Sequence, residues 1–222
     1  MNSLNQIIKI CAVIPFYNEK DFILDVVTET LNYVDKVIAV NDGSTDSSEK
    51  VIANLERVQV ISSEQNYGKG HALRIGFDES IKQRFDVIIT LDADKQHRPE
   101  YIPVLLSSLI DFDIIIGNRL NNLENMPVQR IMSNKITSLF LSFKTGQKIV
   151  DSQCGYRAYK SEVIKNVTTY SNGYEAESEE IIFAARLGYK IGFVQIPTVY
   201  GAEKSKMNAV EAIKGFLKIL FK

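Results

Sequence analysis

The sequence predicts an α/β fold built on a mainly parallel central sheet, and three observations predict it. Short apolar runs recur along the first half of the chain, stretches with helical spacing separate them, and polar clusters follow where the runs stop. Strands alternating with helices at this spacing imply βαβ units, in which each crossover returns the chain to a parallel neighbour.

Ile7 to Ile14 is an apolar run closed by Pro15, which reads as a buried strand. From about Glu19 to Leu31, Phe22, Ile23, Val26, Val27 and Thr30 share one face of a helix. A second strand, Val37 to Val40, ends in the turn-formers Asn41, Asp42 and Gly43. Ser44 to Leu55 reads as a helix with Ser44 or Thr45 at its N-cap. Val58 to Ile61 is a third strand, and a helix after Gly68 carries Ala72, Leu73, Ile75 and Phe77. Asp86 to Leu91 is a fourth strand that runs straight into Asp92. Pro99 then opens a helix, as proline favours the first turn, and Asp113 to Ile116 is a fifth strand.

The second half is less regular. Residues 127–143 form an amphipathic helix with Val128, Ile131, Met132, Ile136, Leu139, Phe140 and Phe143 on its apolar side. Asp151 to Tyr159 is turn-like and passes into extended structure. Glu179 to Leu187 is helical, Tyr189 to Ile196 is a strand stopped by Pro197, and Ala209 to Phe221 is a second amphipathic helix with lysines at 214, 218 and 222. With 222 residues, no repeat and no linker, the chain reads as one domain.

Composition narrows the function. A formal net charge of −1 gives no basic excess for nucleic acid. Cys11 and Cys154 make no disulfide framework, so a reduced, cytoplasmic setting is expected. The N-terminus has no signal-peptide pattern, and no apolar stretch approaches the roughly 20 residues that span a bilayer. Any membrane contact is therefore expected to be peripheral.

In open α/β sheets, ligands bind beyond the carboxyl ends of the strands. Three polar clusters fall there: Pro15 to Glu19, Asn41 to Asp46 and Asp92 to His97. Asp92 and Asp94 flank Ala93, and two carboxylates so spaced across a turn can face one hard cation, with Gln96 adding a carbonyl oxygen. Mg²⁺ and Mn²⁺ take such oxygen ligands and complete their shells with phosphates and water. A D-x-D turn is also a common solvated cap, so the motif decides nothing alone. The segment Tyr67-Gly68-Lys69-Gly70 lacks the P-loop pattern, which argues against a P-loop NTPase.

VIPFYNE (13–19), VNDGSTDSS (40–48), NYGKGHALRIGF (66–77), TLDADKQHRPE (90–100), GNR (117–119), DSQCGYRAY (151–159) and EKSK (203–206) occur in that order. Together they resemble the successive motifs of inverting GT-A-fold glycosyltransferases of family 2. The similarity is greatest to the dolichol-phosphate mannose synthase branch and its bacterial polyprenyl-phosphate relatives, and it spans residues 10–208. The resemblance implies a single GT-A domain: a nucleotide-sugar part over about 7–119, an acceptor and catalytic part over about 120–208, and a C-terminal helix over about 209–222. It implies that Pro15, Tyr17 and Glu19 frame the nucleoside and Asp42 meets the base. Lys69 approaches the nucleotide, while Asp92, Ala93, Asp94 and Gln96 form the metal and diphosphate motif for Mg²⁺ or Mn²⁺.

Arg119 then matches a contact to donor sugar or acceptor phosphate. Asp151 is the leading general base, with Glu177 and Glu179 as alternatives on an extended segment, and Arg157 pairs with an acceptor phosphate. Lys204, Ser205 and Lys206 match a segment that closes over the diphosphate. The stretch Tyr200 to Lys204 departs from the arginine and glycine that many polyprenyl-phosphate enzymes carry there. His71 and His97 read as exposed or capping residues. The implied reaction moves a sugar from a UDP- or GDP-sugar to a polyprenyl phosphate at the inner membrane face, in cell-envelope glycan synthesis. A surface glycan or small soluble acceptor, and a silent nucleotide-sugar-binding module, are the competing readings. A nucleotidyltransferase also pairs aspartates, but VIPFYNE is not its glycine- and lysine-rich loop. The sugar, the base and any homo-oligomer stay open.

Overall fold

The computed structural model describes residues 8–120 and 128–197. The expected strands form one sheet of order β3-β2-β1-β4-β6-β5-β7. The strands are β1 (Ile10–Phe16), β2 (Lys36–Asn41), β3 (Val58–Ser62), β4 (Val87–Thr90), β5 (Ile114–Asn118), β6 (Arg157–Lys160) and β7 (Ile191–Gln195). The helices are α1 (Ile23–Thr30), α2 (Ser48–Ile52), α3 (Lys69–Lys82), α4 (Ile102–Ser108), α5 (Val128–Thr145), α6 (Ser161–Asn166) and α7 (Ala176–Arg186). All five residues of β5 and all four of β4 are buried. Cover on both faces explains why these strands read as unbroken apolar runs and not as alternation.

The strand order reverses between β1 and β4. The chain builds outward through β2 and β3, then crosses back so that β4 pairs with the other side of β1, still parallel. That reversal opens a crevice at the carboxyl ends of the strands. It draws together the loops after Phe16, Asn41 and Thr90.

β6 departs from the parallel pattern, pairing antiparallel with both β4 and β5. Its first residue, Arg157, lies opposite Thr90 and Ile116, so it leaves from the carboxyl-end edge and runs back. Pro15 does not close the first strand either, for β1 continues to Phe16. Its pairing with β4 ends at Val13, so Pro15 has a ladder neighbour only on the β2 side, the kind of position where a missing N–H is tolerated. The second helix begins at Ser48 instead of Ser44, because Ser44, Thr45 and Asp46 bond across to the loop after β1.

α3 lies on β1 through Gly76, where an added Cβ would collide with the Val13 side chain. Phe77 meets Tyr159 of β6 edge-on, with ring centroids 5.6 Å apart. α5 contradicts ordinary helix amphipathicity. Its buried residues are Asn134, Thr137, Ser138 and Leu141, while Val128, Met132, Ile136, Leu139 and Phe143 are exposed.

Gly76→Ala gains up to ~1 kcal/mol in helix propensity. Val13 is fully buried and stiff at χ1, so the overpacking cost wins. A net loss of about 1–2 kcal/mol is expected in urea denaturation. Adding Val13→Ala in the same chain should return part of that loss; simple additivity of the two changes would refute the contact as its cause.

Candidate active site

The loops after β1 and β2 are stitched together by side-chain hydrogen bonds. The Asn18 N–H donates to Ser44 Oγ at 2.9 Å, the Thr45 N–H to Asn18 Oδ1 at 2.7 Å, and the Glu19 N–H to Ser48 Oγ at 3.0 Å. Pro15 is buried at the end of β1, and Tyr17 stands 36% exposed at the mouth. Asp42 has a different setting from the one expected. It is 4% exposed, and its two carboxylate oxygens accept the N–H groups of Tyr67 at 3.0 Å and Gly68 at 2.7 Å. Those bonds anchor the glycine loop to the end of β2.

That anchoring delivers Lys69 to the centre of the crevice. Its Nζ lies 2.6 Å from Asp92 Oδ1 and 3.1 Å from Glu177 Oε1. Burial works against the ammonium charge, but Asp92 and Glu177 outweigh it and hold the lysine pKa above its usual value. Burial likewise opposes the Asp92 charge, and Lys69 more than reverses this, holding the carboxyl at about 2. Lys69 and Asp92 are therefore both charged at neutral pH. Gly155 makes room for them: a Cβ there would sit 2.6 Å from Lys69 Nζ and 2.8 Å from Asp92 Oδ2.

Ala93 is buried beneath the turn, and Asp94 Oδ1 accepts the Gln96 N–H at 3.1 Å. Asp92, Asp94 and Gln96 thus share one turn beside a cationic side chain. Among the described residues no group of three His, Cys, Asp or Glu side chains could hold a metal ion by itself. The donor set fits a cation that draws the rest of its shell from substrate phosphate and water.

Behind this cluster lies a second, fully buried one. Asp151 accepts the Arg119 backbone N–H at 3.0 Å, Arg119 Nε and Nη2 at 2.9 Å each, and Asn134 Nδ2 at 2.6 Å. Burial alone raises a carboxyl pKa, but the bonds from Arg119 and Asn134 prevail and hold Asp151 below the usual range. Four donors on a carboxylate with no exposed surface leave it poorly placed to take a proton from a substrate. Arg119 is correspondingly turned inward onto Asp151.

Arg157 requires correction. The resemblance assigns it to an acceptor phosphate, yet it is 0% exposed and Nε, Nη1 and Nη2 all bond acceptors inside the protein. Nε bonds the Cys154 carbonyl, Nη2 the Ser152 carbonyl, and Nη1 the Glu177 carbonyl and Glu180 Oε1. Residues 175–179 are not one extended face, since α7 starts at Ala176. Glu177 and Glu179 consequently point apart: Glu177 reaches Lys69, while Glu179 Oε2 accepts the N–H groups of Tyr170 and Ser171. His97 is not exposed. It is 2% accessible and lies against Tyr156, with ring centroids 5.5 Å apart. Asn134 and Glu180 belong to none of the sequence motifs, and both are buried polar partners here. Lys206, its neighbours Lys204 and Ser205, and the helix expected over 209–221 lie outside the described residues.

The profile described as glycosyl transferase family 2 matches residues 11–168. The chain is 32% identical to the UDP-N-acetylglucosamine–dolichyl-phosphate N-acetylglucosaminyltransferase of Methanococcus voltae, over 96% of this chain and 94% of that protein. It is 28% identical to the polyprenol monophosphomannose synthase of Mycolicibacterium smegmatis, over 94% of this chain and 84% of that one. Among solved structures, glucosyl-3-phosphoglycerate synthase from Mycobacterium tuberculosis in complex with Mn²⁺, UDP and glucosyl-3-phosphoglycerate superposes with a TM-score of 0.74. That match covers 96% of this chain and 77% of the other at 21% identity, and so shows the fold alone, that of the GT-A glycosyltransferases.

Burial lowers the His97 pKa to about 4, with Asp92 opposing and Arg119 and Lys69 adding to the shift. Below the unfolded value of about 6.5 the unfolded chain binds a proton that the folded chain refuses until about pH 4. Stability should therefore fall by about 3 kcal/mol as pH drops through that window. His97→Gln should flatten this part of a Tm-against-pH curve. An unchanged slope would move its cause to another group.

Proposed function

Because the chain belongs to glycosyl transferase family 2, we propose that it is an inverting transferase that moves a sugar from a UDP-sugar to a polyprenyl phosphate at a membrane surface. The donor reading is supported by the UDP-N-acetylglucosamine in the name of the Methanococcus voltae relative and by UDP in the structural neighbour. The lipid-phosphate acceptor is supported by the names of both sequence relatives.

The observation that carries the acceptor is the pairing of a committed Asp151 with an outward-facing apolar helix. A hydroxyl acceptor needs a base, and all three carboxylates named for that role are engaged: Asp151 accepts four hydrogen bonds in the interior, Glu177 is paired with Lys69, and Glu179 accepts two backbone N–H groups. A phosphate monoester is already an anionic nucleophile, its second pKa being about 6. It needs orientation, not deprotonation. On the surface, Val128, Met132, Ile136, Leu139 and Phe143 of α5 form a stripe that suits lipid, with exposed Lys135 and Lys148 beside it for anionic headgroups.

In this reading the donor diphosphate enters over the Asp92–Asp94 turn, with the nucleoside held between the loops after β1 and β2. Lys69 neutralises part of the diphosphate charge. Asp94, Asp92 and Gln96 would hold a divalent cation, which when bound stabilises the diphosphate as a leaving group. A phosphate oxygen of the acceptor attacks the anomeric carbon from the opposite face. The bond to the nucleotide breaks and its electron pair stays on the departing UDP. No helix among the described residues is long and apolar enough to cross a membrane, so the contact proposed is peripheral.

Thermal stability against UDP and GDP, each with and without Mn²⁺, tests the donor. A ligand at 100 times its Kd adds about 2.7 kcal/mol to the native state. A Mn²⁺-dependent rise with UDP alone is expected. A rise with GDP alone would reassign the base, and no rise with either would sink the donor site. Asp94→Ala should cut Mn²⁺-dependent turnover by about 10²-fold or more while the fold persists. Replacing Leu139 and Phe143, 74% and 89% exposed, with glutamate should abolish sedimentation with anionic vesicles without lowering Tm. A drop in Tm instead would mean that the stripe packs on protein.

A further inference from the structure

The inward side of α5 packs against α7 and makes directional bonds to the loop at 149–153. Gln153 Nε2 reaches Ser133 Oγ at 3.3 Å, and the Ile149 N–H donates to Ser142 Oγ at 2.9 Å. Ser138 Oγ accepts the Ser152 N–H at 3.0 Å and donates to Asn134 Oδ1 at 3.0 Å. Asn134, 1% exposed, then donates Nδ2 to Asp151 Oδ1 at 2.6 Å. A carboxylate only accepts, so this bond and the Ser138 bond fix the amide in one orientation. Asp151 passes the constraint to Arg119 at the end of β5, through the backbone N–H, Nε and Nη2.

One helix therefore carries two faces with different tasks. The outer face presents the apolar stripe, and the inner face bonds the buried carboxylate that sets Arg119. A small roll or slide of an 18-residue helix moves both faces together, and a hydrogen bond of 2.6 Å tolerates little displacement.

We propose that Asn134 is a positioning residue, coupling the seating of α5 on a lipid surface to the placement of the Asp151–Arg119 pair, so that transfer runs faster on a membrane than in solution. The inference rests on the membrane reading given above. It adds a residue outside the motifs and a consequence of docking beyond mere attachment.

The test uses the full chain with Mn²⁺, the UDP-sugar selected by the thermal panel and a short, water-soluble polyprenyl phosphate. Turnover is measured with and without vesicles containing anionic lipid. Wild type should bind the vesicles and gain about tenfold in kcat, within the usual span of coupling between sites. Asn134→Ala should still sediment with vesicles, keep its UDP–Mn²⁺ thermal shift and its donor KM, and lose the stimulation. Ser138→Ala leaves the amide in place but removes its support, and should lose part of it. This second variant carries the test should Asn134→Ala fail to fold. Thr30→Ala, a buried hydroxyl change in α1 whose bond stays within that helix, controls for lost stability.

Stimulation that survives in Asn134→Ala overturns the coupling, as does a wild type that binds vesicles without speeding up. Turnover that falls only in step with Tm, as in Thr30→Ala, assigns Asn134 a structural role and overturns it too. A wild-type chain that ignores vesicles overturns the membrane reading itself, which separates the two failures.

Discussion

The ammonium of Lys69, held between Asp92 and Glu177, is the contact on which the rest of the crevice depends. It joins three elements that are far apart in the chain: the first turn of α3, the turn after β4 and the first turn of α7. Without it, two carboxylates would face each other across a partly dry space, and like charges there repel strongly. With it, the two carboxylates are held on either side of one ammonium. Asp42 contributes from beneath by fixing the loop that carries Lys69, and Gly155 contributes by having no side chain.

Around this contact stands a buried polar frame. Arg119 with Asp151, and Arg157 with Glu180, are ion pairs in the interior. Burial pushes the Glu180 carboxyl pKa up, opposed by Arg157 and by the Tyr159 hydroxyl. Such pairs seldom add much net stability, because desolvation offsets attraction, but removing one partner leaves a buried charge behind. Their effect here is geometric. Arg157 ties the loop before β6 to the first turn of α7, which sets where Glu177 points. It acts on the site from behind and not as a contact to the acceptor.

α5 shows why amphipathicity alone misleads. The sequence displays an apolar stripe, and the ordinary inference is that it faces the core. In the folded chain Asn134, Thr137 and Ser138 face inward because the loop at 149–153 offers partners for them, and the stripe is left outside. Polar groups that find complete hydrogen bonds can be buried at little cost, so periodicity reports that a helix has two faces without saying which is inside.

The sequence by itself determined the βαβ order, the strands β1 to β5 and β7, the placement of the polar clusters at strand ends, and the D-x-D turn. Each is a local property, fixed by apolar runs, turn residues and spacing within a few positions. It also displayed the ordered motifs that resemble the family. Only the tertiary structure decided that β6 runs antiparallel, that Lys69 bridges Asp92 and Glu177, that Arg157 is internal, and that Asn134 reaches Asp151. Those depend on partners up to 108 positions apart in the chain. Nothing in a local window distinguishes an arginine that will meet a phosphate from one that will meet a buried glutamate, because the charge is the same and only the long-range packing chooses its partner.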